Sequence, residues 1–202
     1  MRPSCVLQEF TEELLEFVTT QQCVVHNGKP IGAVLHQPFE KRLPTLAAVP
    51  TGQIFGGVKH REPLGSAAHT VTVSQSHTGD AGAIVQQAFT DPPHQVLPAG
   101  GAGFKALTVL SGKANAYLHV TKTKVWDVCA ADAVLGAAGG VLTDTSGASV
   151  AYDPEDPVLR HGFLAAATPA AHHYYIERLR SHAVSLPGQS HEMPSETGFE
   201  GH

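Results

Sequence analysis

The chain has 202 residues, of which 42% are hydrophobic and 15% charged, a balance typical of a globular protein with a sizeable core. Its formal net charge is -5 and it has no basic block, which argues against a protein that coats nucleic acid. Its 3 cysteines are widely spaced and lack a CxxC pair, which argues against a disulfide framework or a structural zinc site. No apolar run approaches the ~20 residues that a membrane-spanning helix needs.

The first half of the chain is predicted to consist mainly of strands. Residues 17–39 predict a β-hairpin, because β-branched residues flank an Asn-Gly pair that supplies the positive φ angles of a tight turn. Residues 40–57 suit two short edge strands, and residues 69–77 predict a further strand with a polar end. A short helix is expected over residues 80–89.

The second half alternates strands and helices. A short strand, a glycine turn and a helix over about 104–110 lead to a strand at "AYLHV" (116–120). After a long helix, a hairpin over 141–152 and a buried strand at "GFLAAAT" are expected. Thr168, followed by a proline, is a favourable N-cap for the last helix. This alternation predicts a layered α/β or α+β fold.

The long helix is predicted from "KVWDVCAADAVLGAAGG", residues 124–140. Asp127 is the expected N-cap, since its carboxylate could accept free N–H groups of the first turn. Only Asp132 is polar over the following eleven positions, which predicts a helix buried between two layers, and Gly139 is expected to end it in the left-handed conformation. The residues alone leave two roles open for Asp127, a helix cap and a functional carboxylate.

The same stretch carries a resemblance. The pattern Trp-Asp-x-Cys-Ala-Ala at 126–131, followed by Gly-Gly at 139–140, resembles the C-terminal signature of the inositol monophosphatase superfamily of magnesium-dependent sugar and nucleotide phosphatases. The resemblance implies that Asp127 is a ligand of Mg²⁺, a hard cation that prefers oxygen ligands. It also implies the C-terminal part of an alternating αβαβα layered sandwich.

Two further motifs resemble the 3'-phosphoadenosine 5'-phosphate phosphatases of that superfamily, and their Golgi-resident form in particular. They are "SQSH" at 74–77 and "PAGGAGFK" at 98–105, and the resemblance extends over residues 8–180. By this match the substrate contacts are Ser74, His77, Gly101 and Lys105, together with Asp127. Their chemistry suits an anion, because hydroxyl, imidazole, ammonium and glycine N–H groups all donate to phosphate oxygens.

The upstream carboxylates of the superfamily are expected to be missing. Its Asp-Pro-x-Asp-x-Thr motif would fall on residues 2–7, but only the proline matches, and Arg2 and Cys5 stand where the aspartates should be. Because its Glu-Glu element would precede Met1, no intact catalytic set is expected. A solvated acidic run is predicted at Glu9, Glu12 and Glu13. Residues 1–183 are therefore predicted to be an incomplete phosphatase domain, and residues 184–202 a disordered tail.

The resemblance implies a magnesium-dependent enzyme that removes the 3'-phosphate of adenosine 3',5'-bisphosphate to give AMP, with this chain impaired. The alternatives are a catalytically dead remnant that binds nucleotide or a partner subunit, an inositol phosphate phosphatase, and a dinucleotide-binding oxidoreductase suggested by the weak GxGxxA pattern. The expected partner is a small phosphorylated nucleotide, with a homo-oligomer left open. The compartment is the Golgi by resemblance, or the cytoplasm if no N-terminal anchor is made.

Overall fold

The computed structural model of the chain describes residues 6–58, 69–75 and 80–181. The helices in these ranges are α1 Val6–Thr11, α2 Ala81–Ala88, α3 Ala102–Leu110, α4 Val125–Ala137 and α5 Pro169–Ser181. The strands are β1 Thr20–His26, β2 Lys29–His36, β3 Thr45–Ala48, β4 Gln53–Gly56, β5 Thr70–Ser74, β6 Gln95–Ala99, β7 Ala116–His119, β8 Thr123–Lys124, β9 Val141–Asp144, β10 Val158–Leu159 and β11 Phe163–Ala166. The predictions for Arg2, Cys5, His77 and the tail at 184–202 lie outside the described residues. Within them, no helix is long and apolar enough to cross a membrane.

The first sheet is antiparallel, with strand order β1-β2-β3-β4. The hairpin prediction is confirmed: β1 and β2 pair around a turn at Asn27 and Gly28, whose φ angles are 51° and 69°. These positive angles give the turn the twist that the flanking strands need. Of the two expected edge strands, β4 lies at the edge, whereas β3 lies between β2 and β4.

The second sheet has strand order β6-β5-β7-β11-β9. Its strands β6, β5 and β7 run parallel, and β11 is antiparallel to both of its neighbours. The predicted hairpin over 141–152 is half right. Its turn forms, with the Asp144 carboxylate accepting the backbone N–H groups of Ser146 and Ala148, but residues 148–152 form no strand, and β9 pairs with β11 instead. Instead the chain buries Tyr152, whose hydroxyl donates to Asp132 of α4 over 2.8 Å.

The elements stack in alternating layers, which confirms the predicted fold class. One core lies between the two sheets around α3 and α4, and includes Leu35 of β2, Leu135 of α4 and Phe163 of β11. A second core lies on the other face of the five-stranded sheet, where α2 and α5 contribute Val85 and Tyr175. The order of layers is therefore sheet, helix pair, sheet, helix pair, since α3 and α4 are buried between the sheets.

The start of α4 differs from the prediction. The helix begins at Val125, and the N-cap position belongs to Lys124, so Asp127 is the third residue of the helix. Lys124 is held extended because β8 pairs with β10 through Val158, and the Val125 N–H donates to the carbonyl of Pro157. This tertiary pairing sets the helix start three residues before the position that local sequence favours. The other end is as predicted, with α4 closed by a glycine, Gly139, at a φ of 83°.

A disulfide joins Cys23 of β1 to Cys129 of α4, with their Cα atoms 5.9 Å apart. Cysteine spacing argued against a disulfide framework and did not predict this single bond. The two cysteines are 106 residues apart in the sequence, and they meet because α4 packs across the first sheet. Such a contact depends on tertiary packing, which local cysteine spacing does not encode. The bond ties the helix that carries Asp127 to the first hairpin.

The last helix is confirmed with its cap. The hydroxyl of Thr168 accepts the N–H of Ala171 over 3.1 Å, and Pro169 is the first helical residue. Early in α5, the buried imidazole of His172 forms a hydrogen bond with the hydroxyl of Thr143 over 2.9 Å. This buried pair fastens α5 to β9 in the outer helix layer.

Candidate functional site

The candidate site lies at the carboxyl edge of the three parallel strands. Here β5 ends at Ser74, β6 ends at Ala99 and β7 ends at His119. Ligands of open α/β sheets bind outside the carboxyl ends of parallel strands, where loops and helix starts leave polar groups exposed. The glycine turn and α3 follow β6 directly, and α4 begins shortly after β7. Four of the five predicted site residues therefore come from elements that begin or end near this edge.

Ser74 is buried and forms a side-chain hydrogen bond with a histidine that the sequence analysis did not select. Its Oγ lies 3.2 Å from Nδ1 of His119, and Nε2 of the same ring lies 3.0 Å from Oγ1 of Thr121. The ring also stacks on Phe163, with the ring centroids 5.4 Å apart. A signal was present in the sequence, because His119 is the last polar residue of a predicted strand, where site residues of such sheets occur.

The glycine turn is engaged by a side chain of the protein itself. Gly101 has a φ of 59°, and its N–H donates to Oε1 of Glu9 over 3.1 Å. Glu9 is only 5% exposed, so the prediction of a solvated acidic run is wrong for this residue, although Glu12 and Glu13 are exposed. A carboxylate is favourable here because the start of α3 presents donors and the positive end of the helix dipole. In this structure a protein carboxylate thus accepts the N–H of Gly101.

Lys105 lies inside the domain, where it is 3% exposed. Its ammonium group donates to the carbonyl of Ala99 over 3.1 Å and lies 5.2 Å from the centroid of the Tyr117 ring. The carbonyl of Ala99 also accepts the N–H of Gln75, which follows Ser74. Lys105 therefore fastens the end of β6 to α3 and places a positive charge close to the turn. Its contribution to anion binding would be electrostatic attraction from the interior.

Asp127 is partly buried in the first turn of α4. Burial raises the pKa of its carboxyl group, and the hydrogen bonds from the Thr123 hydroxyl and the backbone of Lys124 oppose that shift. The Thr123 Oγ1 lies 3.2 Å from Oδ2 of Asp127. Asp127 is therefore not the N-cap, but a carboxylate in the first turn still interacts favourably with the positive end of the helix dipole.

The donor set does not fit a magnesium ion by itself. Among the residues that the structure describes, no group of three or more histidine, cysteine, aspartate or glutamate side chains could hold a metal. Mg²⁺ demands near-octahedral oxygen coordination and gives up water reluctantly, so one carboxylate such as Asp127 is a weak site. In the described part of the chain, Asp127 therefore does not belong to a group of three or more such ligands.

Comparison with known proteins agrees with the motifs. The sequence profile of the inositol monophosphatase family matches residues 8–183. The chain belongs to the inositol monophosphatase family. Membership replaces the dinucleotide-binding interpretation of the glycine turn and is consistent with the layers of the fold.

Relatives and structural neighbours agree. The chain is 37% identical over 183 residues to a Rattus norvegicus protein named Golgi-resident adenosine 3',5'-bisphosphate 3'-phosphatase, an alignment that covers 88% of this chain and 49% of the rat protein. The chain thus spans about half the length of the curated relatives it matches. The structure of CysQ from Bacteroides thetaiotaomicron has a TM-score of 0.66 at 23% identity, covering 80% of this chain and 66% of CysQ. A staphylococcal IMPase-II has a TM-score of 0.71 at 16% identity, covering 90% and 71% of the two chains. These neighbours establish the fold.

Proposed function

We propose that this chain is the nucleotide-binding part of a phosphatase domain that acts on adenosine 3',5'-bisphosphate. The proposal rests on one observation above the others. The serine and lysine of the two nucleotide motifs, together with the turn glycine, converge on the end of β6, where Lys105 and the residue after Ser74 share the carbonyl of Ala99. The name of the rat relative gives the substrate class, since that protein is called an adenosine 3',5'-bisphosphate 3'-phosphatase.

The chemistry of this cluster suits a phosphate group. A serine hydroxyl donates to an anionic oxygen, and a hydrogen bond to a charged group is worth about 1.5–3 kcal/mol. The Lys105 ammonium is buried, so the attraction between it and a phosphate is screened less than that of a surface lysine. Gly101 has a positive φ, and a side chain at this position would clash with the carbonyl of Phe17, so the turn requires a glycine here. Binding would require the ligand to displace Glu9 from the N–H of Gly101 or to bind beside it.

Hydrolysis requires more than this cluster. The family is generally metal-dependent, with Mg²⁺ the typical ion. Asp127 is the predicted metal ligand, and among the described residues it is not part of a group of three or more possible ligands. A single carboxylate is a weak site for Mg²⁺, which gives up its waters reluctantly. We therefore expect this chain to bind nucleotide with turnover far below that of an intact phosphatase. This expectation favours the binding remnant over an active enzyme.

The same relative supports a proposal for the compartment. Its name places the rat protein in the Golgi, and we propose the secretory pathway for this chain as well. The disulfide between Cys23 and Cys129 supports this assignment, because disulfides persist in oxidising compartments and are rare in the reducing cytosol.

Calorimetric titration of the full chain tests the binding proposal. Adenosine 3',5'-bisphosphate should bind more tightly than adenosine 5'-monophosphate, which lacks the 3'-phosphate, and more tightly than inositol 1-phosphate. Ser74→Ala should weaken binding by about tenfold or more. Ser111→Ala, at the far end of α3, is the matched control and should bind like the unmodified chain. Absence of nucleotide binding, or equal affinities for all three ligands, would overturn the proposal.

Phosphate release with added Mg²⁺ tests the expected lack of turnover. We expect the unmodified chain and Asp127→Asn to release phosphate at the same background rate. Magnesium-dependent turnover that is lost in Asp127→Asn would instead show that the chain is an active enzyme, and the binding remnant would be rejected.

A further inference from the structure

His119 links two hydroxyl groups at the carboxyl edge of the sheet. It is the last residue of β7 and is 9% exposed. Its Nδ1 contacts the Ser74 hydroxyl at 3.2 Å, and its Nε2 contacts the Thr121 hydroxyl at 3.0 Å. Both ring nitrogens are therefore committed to hydroxyl groups, and stacking on Phe163 holds the ring in place. A buried histidine with two such partners also constrains which way the hydroxyl protons of Ser74 and Thr121 point.

The hydrogen-bond chain through His119 can run in two directions. A neutral imidazole donates from one nitrogen and accepts at the other, and a hydroxyl has a single proton to donate. If Thr121 donates to Nε2, then Nδ1–H donates to the oxygen of Ser74. The Ser74 hydroxyl can then donate its own proton to a ligand. If the direction is reversed, Ser74 spends its proton on Nδ1, and only its lone pairs face a ligand. Those lone pairs would repel a phosphate oxygen.

We propose that His119 is a positioning residue that holds the Ser74 hydroxyl as a hydrogen-bond donor toward phosphate. The inference rests on the proposed function, since it assumes that Ser74 meets an anion. The direction runs from Thr121 through the Nδ1–H tautomer of His119 to Ser74, and successive bonds in such a chain strengthen one another. Thr121 lies in the same connection as Thr123, which donates to Asp127, so this short segment supports both the nucleotide and the metal positions.

The tautomer of His119 can be measured without any ligand. Long-range ¹H–¹⁵N correlation spectra of the full chain should show His119 with Nδ1 protonated and Nε2 unprotonated at neutral pH. The Nε2–H tautomer would overturn the proposal, because Ser74 would then donate to the ring. This measurement stands whether or not the chain binds nucleotide.

Two substitutions separate positioning from packing. The amide nitrogen of asparagine is as many bonds from Cα as Nδ1 of histidine, whereas that of glutamine matches Nε2. His119→Asn can therefore still donate to Ser74, and His119→Gln can reach only Thr121. We expect His119→Asn to bind adenosine 3',5'-bisphosphate within about threefold of the unmodified chain, and His119→Gln to lose about tenfold, as Ser74→Ala does.

His172 supplies the matched control. It is 8% exposed and pairs through Nε2 with the Thr143 hydroxyl, in the outer helix layer. His172→Asn and His172→Gln should cost similar stability and leave nucleotide affinity unchanged. If both His119 variants lose the same nucleotide affinity, in proportion to their loss of stability, then His119 acts only in packing and the proposal is wrong. If Ser74→Ala has no effect on binding, the proposed contact between Ser74 and the nucleotide is wrong. The spectra would still show the direction of the hydrogen bonds through His119.

Discussion

Removing the disulfide between Cys23 and Cys129 is predicted to cost the domain a large share of its stability. The bond closes a loop across a sequence separation of 106 residues. In the chain-entropy treatment, a cross-link over a loop of about 100 residues restricts the unfolded chain by about 4.7 kcal/mol at 25 °C. Residual structure in real unfolded chains lowers this value, so we expect about 3–4 kcal/mol. Domains are stabilised by only about 5–15 kcal/mol in total.

Urea denaturation, followed by far-ultraviolet circular dichroism, measures the effect. In a Cys5→Ala background, which removes the third thiol, the oxidised and reduced forms are compared. With a slope of about 2–3 kcal/mol per molar urea, the midpoint of the reduced form should fall by about 1–2 M. A variant with alanine at both Cys23 and Cys129 should unfold near the reduced midpoint. Its midpoint should not respond to reductant, which controls for effects of the reagent elsewhere.

Two outcomes would contradict the reasoning at different points. If thiol labelling finds Cys23 and Cys129 free in the oxidised sample, the bond itself does not form in solution. If labelling finds the bond formed but the two midpoints coincide, the loop-closure argument is wrong for this domain. Cys129 is buried in the inner core, so a further drop in the alanine variant below the reduced form would measure lost packing around its sulfur.

Two carboxylates, the half-buried Asp132 and the buried Glu9, give the other predictions. Asp132→Asn should stabilise the domain by about 1–3 kcal/mol at pH 7.5 and have little effect near pH 4, because burial raises the pKa of Asp132 to about 6 while the amide can still accept from Tyr152. Between about pH 4 and pH 6 the folded state holds a proton that the unfolded chain has lost, so stability falls as pH rises. Urea midpoints at both pH values check this, and equal stabilisation at both would contradict it. Glu9→Gln should tighten binding of adenosine 3',5'-bisphosphate about tenfold, because it removes a negative charge beside the turn and keeps an acceptor for Gly101. Calorimetry checks this, and unchanged affinity would place the phosphate elsewhere.

Features set by short-range chemistry were predictable from the sequence. The first hairpin follows from an Asn-Gly pair between β-branched runs, and both residues adopt the positive φ angles that the turn requires. The last helix follows from Thr168, whose hydroxyl accepts an N–H of the first turn. The left-handed conformation of Gly139 after α4 was likewise predictable, because it depends on the local glycine. In each case the deciding contacts lie within a few residues of one another.

The features that sequence reasoning missed depend on contacts between distant segments. The N–H of Gly101 meets the carboxylate of Glu9, which is 92 positions away. Tyr152 belongs to the predicted return strand, but it is buried instead against α4, where its hydroxyl donates to the half-buried Asp132. The start of α4 is moved by the pairing of two short strands. Local patterns do not encode such contacts, since each depends on how the layers pack.

In the candidate site, too, local motifs selected the residues, and tertiary packing gave them partners inside the protein. The motifs selected Ser74, Gly101 and Lys105, yet each of these residues also has a partner within the protein, at His119, Glu9 and Ala99 respectively. Truncating Ser74 would remove the hydrogen bond at Nδ1 of the buried His119, and truncating Lys105 would remove one of the two donors to the carbonyl of Ala99, which costs stability whether or not a ligand binds.

Loss of affinity in a truncated variant is therefore weak evidence for a ligand contact. Substitutions that keep the internal hydrogen bond and change only charge or donor position are stronger tests. Glu9→Gln and the pair His119→Asn and His119→Gln have this property. If both tests give the expected results, the turn and the hydroxyl are assigned to the phosphate independently, because one acts through charge and the other through the position of a single donor.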